Sequence, residues 1–144
     1  MSRAVQCIFC QAHANSADDE KNLVLYRGTH SFVILNLYPY VSGHLMVAPY
    51  AHIGELDATP KEVSDEMMDL AKRSQTALRA VYAPEGFNLG MNLGRAAGAG
   101  VADHIHLHVM PRWVGDTNFM TAVGDTRVLP EDLSTTYRRL SGKF

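Results

Sequence analysis

One short stretch constrains this chain more than any other. From residue 104 to 109, histidines alternate with apolar residues: His104, His106 and His108 against Ile105, Leu107 and Val109. A period of two is typical of a half-buried β-strand, because successive side chains point to opposite faces. The sequence therefore predicts three imidazoles on one face of a strand, with the apolar set against a core.

Such a face has three interpretations. Solvated or structural histidines are the ordinary explanation for a single one, but this explanation fits poorly with three in succession. One metal ion bound by all three is disfavoured, because the first and last would lie roughly 13 Å apart on a straight strand, whereas zinc–nitrogen bonds are about 2.1 Å. A nucleophilic imidazole flanked by helpers is preferred, because neutral histidine can attack through one nitrogen while the other is held.

Composition limits the class of protein. With 144 residues, 47% of them hydrophobic, and a net charge of −2, the chain is predicted to be a single domain spanning 1–144 that buries a substantial core. It has neither a bilayer-length apolar run nor a hydrophobic signal at 1–6, which predicts a cytoplasmic protein. The lack of a basic excess argues against nucleic acid polymers and membranes as partners, so a phosphate-bearing ligand would be a small nucleotide.

Both cysteines lie in one motif, Cys7-Ile8-Phe9-Cys10. In a reducing compartment this spacing fits either a redox pair or half of a tetrahedral metal site. A redox pair would be followed by a βα unit, which is not apparent here. Alternatively, the thiols are simply reduced while Ile8 and Phe9 pack in the core.

The remaining patterns predict an α+β fold. A helix is expected over 59–82, with Thr59 as N-cap, Pro60 in the first turn and apolar residues at three- and four-residue steps. A short C-terminal helix is expected to start at Pro130, after a loop-rich run over 114–129. About five antiparallel strands are predicted, at 23–27, 31–35, 44–49, 87–93 and 104–111.

A glycine-rich loop at 95–100 leads into the histidine strand. Such a loop can turn backbone N–H groups toward phosphate oxygens. It matches neither the P-loop nor the dinucleotide-binding pattern, so its significance comes from its position next to His104.

The motif His104-Ile105-His106-Leu107-His108-Val109-Met110, followed by Pro111-Arg112, resembles the signature of the histidine triad (HIT) family. The resemblance continues through 35–39, 43–49 and 115–120, and so covers most of the chain. It implies a HIT-like fold with one long helix on the sheet, and a homodimer, since relatives dimerise.

The resemblance also implies roles for individual residues. His106 would be the nucleophile, while His108 and His44 would stabilise phosphoryl charge and protonate the leaving group. Asn36 would bind ribose, although turn geometry also explains an asparagine there, and His44 could instead be structural. Asn92 would belong to the catalytic set, because it would contact phosphate near the reacting centre. The remaining implied contacts to base or phosphate are Phe9, Ala99, Gly100 and Trp113.

In zinc-binding relatives the two further metal ligands stand at the positions of His52 and His104. The resemblance therefore implies a structural zinc held by Cys7, Cys10, His52 and His104. No metal would be required for the chemistry itself.

The implied reaction is attack on the α-phosphorus of a nucleotide, giving a nucleotidyl-histidine that an acceptor resolves. The chain looks most similar to the bacterial diadenosine tetraphosphate branch, in which phosphate or water is the acceptor. Hydrolytic relatives usually carry Gln at the position of Gly100, and a phosphorylase relative has Gly-Ser where this chain has Ala99-Gly100. The alternatives are a purine nucleoside phosphoramidase, a metal-dependent hydrolase, or a non-catalytic nucleotide-binding module acting through a partner.

Overall fold

The structure is a computed structural model that describes residues 7–100, 103–116 and 131–144. Within these residues, none of the helices is both long and apolar enough to cross a membrane. The N-terminal hexapeptide, residues 117–129 of the predicted loop-rich run and Pro130 lie outside the described residues. The described helices and strands, in chain order, are α1 (Ile8–Ala14), β1 (Val24–Arg27), β2 (Ser31–Leu35), β3 (Leu45–Pro49), α2 (Lys61–Tyr82), β4 (Gly86–Gly90), β5 (Leu107–Arg112) and α3 (Leu133–Leu140).

The five strands form one sheet in the order β1-β2-β3-β5-β4, and every neighbouring pair is antiparallel. The long helix α2 packs on one face through β2, β3 and β5, and α3 contacts α2. The predicted α+β architecture, with a five-stranded antiparallel sheet, one long helix and a short C-terminal helix, is confirmed.

The sheet is buried on both faces at its centre, since every residue of β2 and β3 is buried. Toward α2, β2 and β3 contribute Val33, Leu35, Leu45 and Val47. Their alternate residues pack with α1 on the opposite face: Phe32, Ile34, Met46 and Ala48. Side chains of the histidine segment also alternate between the two faces of the sheet. Leu107 and Val109 pack in the core beneath α2, while His106 and His108 lie on the α1 side.

Several predicted boundaries differ from the structure. The strand β4 ends at Gly90 rather than at residue 93, and β1 and β3 each start one residue later than predicted. The strand β5 begins at Leu107 rather than at His104, because the backbone N–H of Ile105 donates to the Ile53 carbonyl, outside the strand ladder (2.8 Å). The helix α2 begins at Lys61, with Pro60 as N-cap. Thr59 is not the cap: its hydroxyl donates to the Glu55 carbonyl in the preceding turn (2.9 Å).

The helix α1 was not predicted, because seven residues carry too little periodicity to be recognised. Cys7 is its N-cap and Cys10 lies in its first turn. Residues three apart share one side of a helix, so both thiols face the same way. Phe9 and Ala12 are buried against the sheet. This helix therefore places the cysteine motif on the same face of the sheet as the histidines.

Glu66 of α2 fastens the turn between β1 and β2. Its carboxylate accepts the Thr29 and His30 backbone N–H groups (3.0 and 2.8 Å) and the Ser31 hydroxyl (2.5 Å). Burial alone would raise the pKa of this carboxyl group, but these hydrogen bonds outweigh it and lower the pKa.

We expect Glu66→Gln to lower the free energy of unfolding by about 1–3 kcal/mol at pH 7, because the amide NH₂ cannot accept the Thr29 N–H and the remaining neutral oxygen accepts more weakly than a carboxylate. A carboxyl group with a lowered folded-state pKa stabilises the fold above its unfolded pKa and loses that contribution as pH falls through the folded value. The difference between variant and native protein should thus shrink below about pH 4. Urea unfolding across pH tests this, with exposed Asp69→Asn on the same helix as control. An equal loss in both variants would contradict the assignment.

Candidate functional site

A cleft of about 680 Å³ lies on the α1 side of the sheet. Its size falls in the range of small-molecule sites, about 300–1,000 Å³. One wall is apolar and includes Ile8, Leu23 and Ile34. Six of the residues singled out in the sequence line it: Phe9, Asn36, Asn92, Gly100, His106 and His108.

His106 is held in one orientation. Its side chain is buried (6% exposed), and Nδ1 lies 3.0 Å from the carbonyl oxygen of His104. A carbonyl can only accept, so Nδ1 carries the proton and Nε2 keeps its lone pair. Burial lowers the pKa of His106 below its usual value, although the bond to the His104 carbonyl opposes the shift. The ring is therefore a neutral imidazole with a free nucleophilic nitrogen.

His44 and His108 form a directed pair. The backbone N–H of Tyr40 donates to Nδ1 of His44 (3.2 Å), so neutral His44 carries its proton on Nε2. That nitrogen lies 2.9 Å from Nδ1 of His108, which leaves the His108 proton on Nε2. Burial, followed by repulsion from His108 and His106, lowers the pKa of His44 to about 4. His108 thus reaches the cleft as a neutral hydrogen-bond donor.

Gly43 makes room for His44. Its φ is +85°, in the left-handed region that favours glycine. A Cβ there would approach a Leu78 methyl carbon to 3.0 Å and the Tyr82 ring to 3.1 Å. The turn before β3 can therefore pack on α2 while it directs His44 inward, to 1% exposure.

Asn36 and the glycine-rich loop lie near the histidines. Asn36 Nδ2 lies 3.4 Å from His44 Nε2, and Asn36 Oδ1 accepts the Tyr38 backbone N–H (2.8 Å). The Ala99 backbone N–H of the glycine-rich loop donates to the Gly94 carbonyl (3.2 Å). Gly98 and Gly100, rather than Ala99, line the cleft.

The structure does not bring Trp113 to the cleft. Its ring contacts Tyr82 of α2 edge-on, with centroids 6.5 Å apart. Trp113 follows Arg112, the last residue of β5. It stands an even number of residues after Leu107 and Val109, so strand alternation puts it on the same face as these core residues. The strand alternation that exposes His106 and His108 to the cleft therefore turns Trp113 to the other face.

The remaining predicted residues converge at a second position, the Cys–His cluster of Cys7, Cys10, His52 and His104. Their ligand atoms all lie within 4.8 Å of one another. His104 Nε2 lies 2.8 Å from the Pro49 carbonyl, which assigns the proton to that nitrogen and leaves Nδ1 as a lone pair. Burial, the largest influence, lowers the pKa of His104 to about 4 despite this bond.

The cluster distances fit a tetrahedral zinc. Bonds of about 2.1 Å to nitrogen and 2.3 Å to sulfur imply nitrogen–nitrogen and nitrogen–sulfur edges of about 3.4 and 3.6 Å. The two Nδ1 atoms of His52 and His104 are 3.2 Å apart, and the sulfur–nitrogen distances are 3.3, 3.3 and 3.6 Å. Burial and the neighbouring Cys7 thiol raise the pKa of Cys10 to about 11. A divalent cation would supply the charge that such thiols need to ionise.

Two aromatic residues in the loop between β2 and β3 were not predicted to belong to the site. Tyr38 and Tyr40 line the cleft, and the Tyr40 ring stacks on His44 with centroids 5.2 Å apart. The available signal was their position, since both stand between Asn36 and His44, two residues already singled out.

Comparison with known proteins agrees with this geometry. The HIT domain family model matches residues 18–114. The chain is 45% identical over 126 residues to the AP-4-A phosphorylase of Mycobacterium tuberculosis, a match that covers 88% of the chain. The chain spans only 65% of the length of that relative. An uncharacterized HIT-like protein of the same organism is 34% identical over 76% of the chain and 74% of its own length.

Solved structures give the same family. A Zn-bound histidine triad family protein from Mycobacterium smegmatis superposes with a TM-score of 0.76 and 28% identity, covering 97% of this chain and 94% of the other. The family predicted from the histidine motif is confirmed. Because the family model spans all five strands and the long helix α2, the sequence and the fold support one conclusion: the chain belongs to the HIT domain family.

Proposed function

We propose that this protein transfers a nucleotidyl group from dinucleoside polyphosphates, with diadenosine tetraphosphate as the substrate. The observation that carries the proposal is His106, whose Nε2 lone pair is free because Nδ1 is bound to the His104 carbonyl (3.0 Å). Similarity to a protein named AP-4-A phosphorylase supports the choice of substrate.

In the first step, the Nε2 lone pair of His106 attacks the α-phosphorus, and a phosphorus–nitrogen bond forms. The bond from that phosphorus to the bridging oxygen breaks, and the electron pair leaves with the remaining nucleotide. His108 keeps its Nε2 proton and is placed to donate a hydrogen bond to the departing or non-bridging oxygen, which stabilises the negative charge that builds up there. His44, itself fixed by the Tyr40 backbone N–H, holds His108 in the donor tautomer.

In the second step, an acceptor oxygen attacks the same phosphorus and the phosphorus–nitrogen bond breaks. The electron pair returns to His106 Nε2. With inorganic phosphate as acceptor the product is ADP, and with water it is AMP and a released proton. Asn92 and Gly100 line the cleft beside the histidines and would contact the phosphates.

The Cys–His cluster would hold a structural zinc in this proposal, and the bound ion would tie α1 to the segment before β5. Phe9 of α1 packs against both His104 and His106, with ring centroids 5.0 and 4.9 Å apart. The cluster therefore stabilises the apolar wall and the nucleophile together. The homodimer and the cytoplasmic location stay predictions.

Product analysis tests the function. Pure protein is incubated with diadenosine tetraphosphate, with and without inorganic phosphate, and adenine nucleotides are resolved by chromatography. ADP and ATP formed only with phosphate would establish a phosphorylase, and AMP and ATP in both reactions would establish a hydrolase. Absence of any product would refute the proposal and direct the search to phosphoramidates, and then to a binding module.

The pH dependence of the first step follows from the buried imidazoles. Burial, then repulsion from His106, lowers the pKa of His108, and the pKa of His44 is lowered to about 4. We expect single-turnover release of ATP to be level between about pH 6.5 and 8 and to decline only at lower pH, as the pair becomes protonated. Circular dichroism at each pH controls for unfolding. An acid limb centred above pH 7 would contradict the assignment.

A further inference from the structure

Five aromatic rings form a continuous row at the cleft, and all of them except the buried His44 line it. The row runs Phe9, His106, His108, His44, Tyr40, and successive ring centroids are 4.9, 4.9, 5.1 and 5.2 Å apart. His106 lies toward one end, beside the buried Phe9 and the apolar wall. Tyr40 lies at the opposite end, beyond the His108–His44 pair. The row therefore gives the reacting centre two distinct sides.

The Tyr40 end presents unusual apolar surface. Tyr38 is 81% exposed and Tyr40 is 72% exposed, and Leu37 beside them is 55% exposed. Contiguous exposed apolar groups at the rim of a cleft mark a binding surface more often than a solvated loop. One face of the Tyr40 ring stacks on His44, and the exposed area of the side chain leaves the ring accessible.

Both tyrosines are anchored through their backbone. The Tyr38 N–H donates to Asn36 Oδ1 (2.8 Å) and the Tyr40 N–H donates to His44 Nδ1 (3.2 Å). The two aromatic side chains therefore project from a segment whose position is fixed by cleft residues. A ligand that stacks on them would therefore cost less conformational entropy of the loop, which favours binding.

On this basis, and resting on the function proposed above, we infer that Tyr38 and Tyr40 form a stacking platform for the second nucleobase of a dinucleoside polyphosphate. The first base occupies the apolar end at Phe9, and the α-phosphate lies at His106. The remaining polyphosphate then runs past His108 toward Tyr40. The second nucleoside emerges where the ring row ends.

The platform would make the protein selective for substrates with two nucleosides. Stacking of a base on an aromatic side chain is tolerant of base identity, because every base has a π-face. The subsite should thus recognise that a second base is present more strongly than which base it is. The length of the polyphosphate bridge would matter, because it sets whether that base reaches the tyrosines.

The test compares two substrates that differ in the second nucleoside. Native protein, Tyr38→Ala and Tyr40→Ala are assayed with diadenosine tetraphosphate and with adenosine 5′-tetraphosphate, under the same acceptor conditions. We expect Tyr38→Ala to lower kcat/KM for the dinucleotide by about 5- to 150-fold, mostly through KM, and to leave the mononucleotide value within about 2-fold. Tyr38→Phe should retain native values because the ring is kept.

Tyr40 requires the ratio of the two kcat/KM values, because its ring also packs on His44. Loss of support for His44 lowers both rates alike, whereas loss of stacking lowers only the dinucleotide rate. Exposed Met68→Ala, on α2 at the opposite face of the sheet, is the control. Equal losses on both substrates, or no loss, would overturn the platform and leave the proposed function standing. If native protein cleaves neither substrate, the proposed function fails and the platform fails with it.

Discussion

Replacing His106 by alanine is expected to lower turnover of diadenosine tetraphosphate by at least about 10³-fold, because no other described cleft residue offers a neutral nitrogen so oriented. Its Nδ1 proton is committed to the His104 carbonyl, so only Nε2 faces the substrate. The neighbouring His108 is committed as a donor through its bond to His44, and cannot substitute as the nucleophile without losing that bond. Steady-state and single-turnover assays measure the loss.

Nucleotide binding should survive this substitution. The apolar wall and Phe9 remain, and the side chain removed is only one of the groups lining the cleft. Equilibrium dialysis with a non-hydrolysable dinucleotide should therefore give a Kd within about 10-fold of the native value. His30→Ala, a histidine in the distant turn between β1 and β2, is the matched control. Retained turnover in His106→Ala would refute nucleophilic catalysis by this residue.

Removal of a cysteine from the Cys–His cluster is expected to destabilise the fold strongly. Cys7 is 5% exposed and lies 3.3 Å from His104 Nδ1. Zinc binding contributes about 10–16 kcal/mol to small structural sites, so losing one ligand should lower the free energy of unfolding by more than about 3 kcal/mol. Cys7→Ala should therefore purify without zinc and melt at a lower temperature.

A chelator provides the complementary experiment. Prolonged chelation of native protein should lower Tm toward that of Cys7→Ala, while His30→Ala should keep both its zinc and its response to the chelator. Activity should fall only to the extent that the protein unfolds, because the proposed chemistry uses no metal. Two results together would contradict the assignment of a zinc site. The native protein would contain no zinc after expression in zinc-supplemented medium, and its Tm would not change on chelation.

The sequence predicted the sheet well because alternation and helical periodicity are local properties. The apolar residues of 31–35 and 45–49 match the observed strands. Alternation alone was less accurate for the histidine motif, because it placed all three rings on one strand face. In the structure, His104 lies in the Cys–His cluster before β5 begins, while His106 and His108 lie in the cleft. Alternation indicates a shared face, but it does not say which long-range partners each ring meets.

The elements that sequence patterns did not predict depend on tertiary contacts. The helix α1 has only seven residues, and its burial comes from Phe9 and Ala12 meeting the sheet. Strand alternation places Trp113 against Tyr82 and away from the cleft. This orientation can be predicted only if β5 is known to continue through Arg112. Tyr38 and Tyr40 resemble ordinary turn residues until the folded chain places both in the lining of the cleft, with Tyr40 at the end of the ring row.

The stereochemistry of the reaction distinguishes a covalent histidine intermediate from a direct displacement. A single diastereomer of diadenosine tetraphosphate with sulfur on one α-phosphorus is cleaved in the presence of phosphate, and the configuration of the resulting adenosine 5′-(1-thiodiphosphate) is determined. If water is the acceptor, ¹⁸O-labelled water makes the thiophosphate product chiral. Attack by His106 and then by the acceptor each invert the configuration at the α-phosphorus, so overall retention is expected. Inversion would show a single direct displacement and contradict the covalent histidine intermediate.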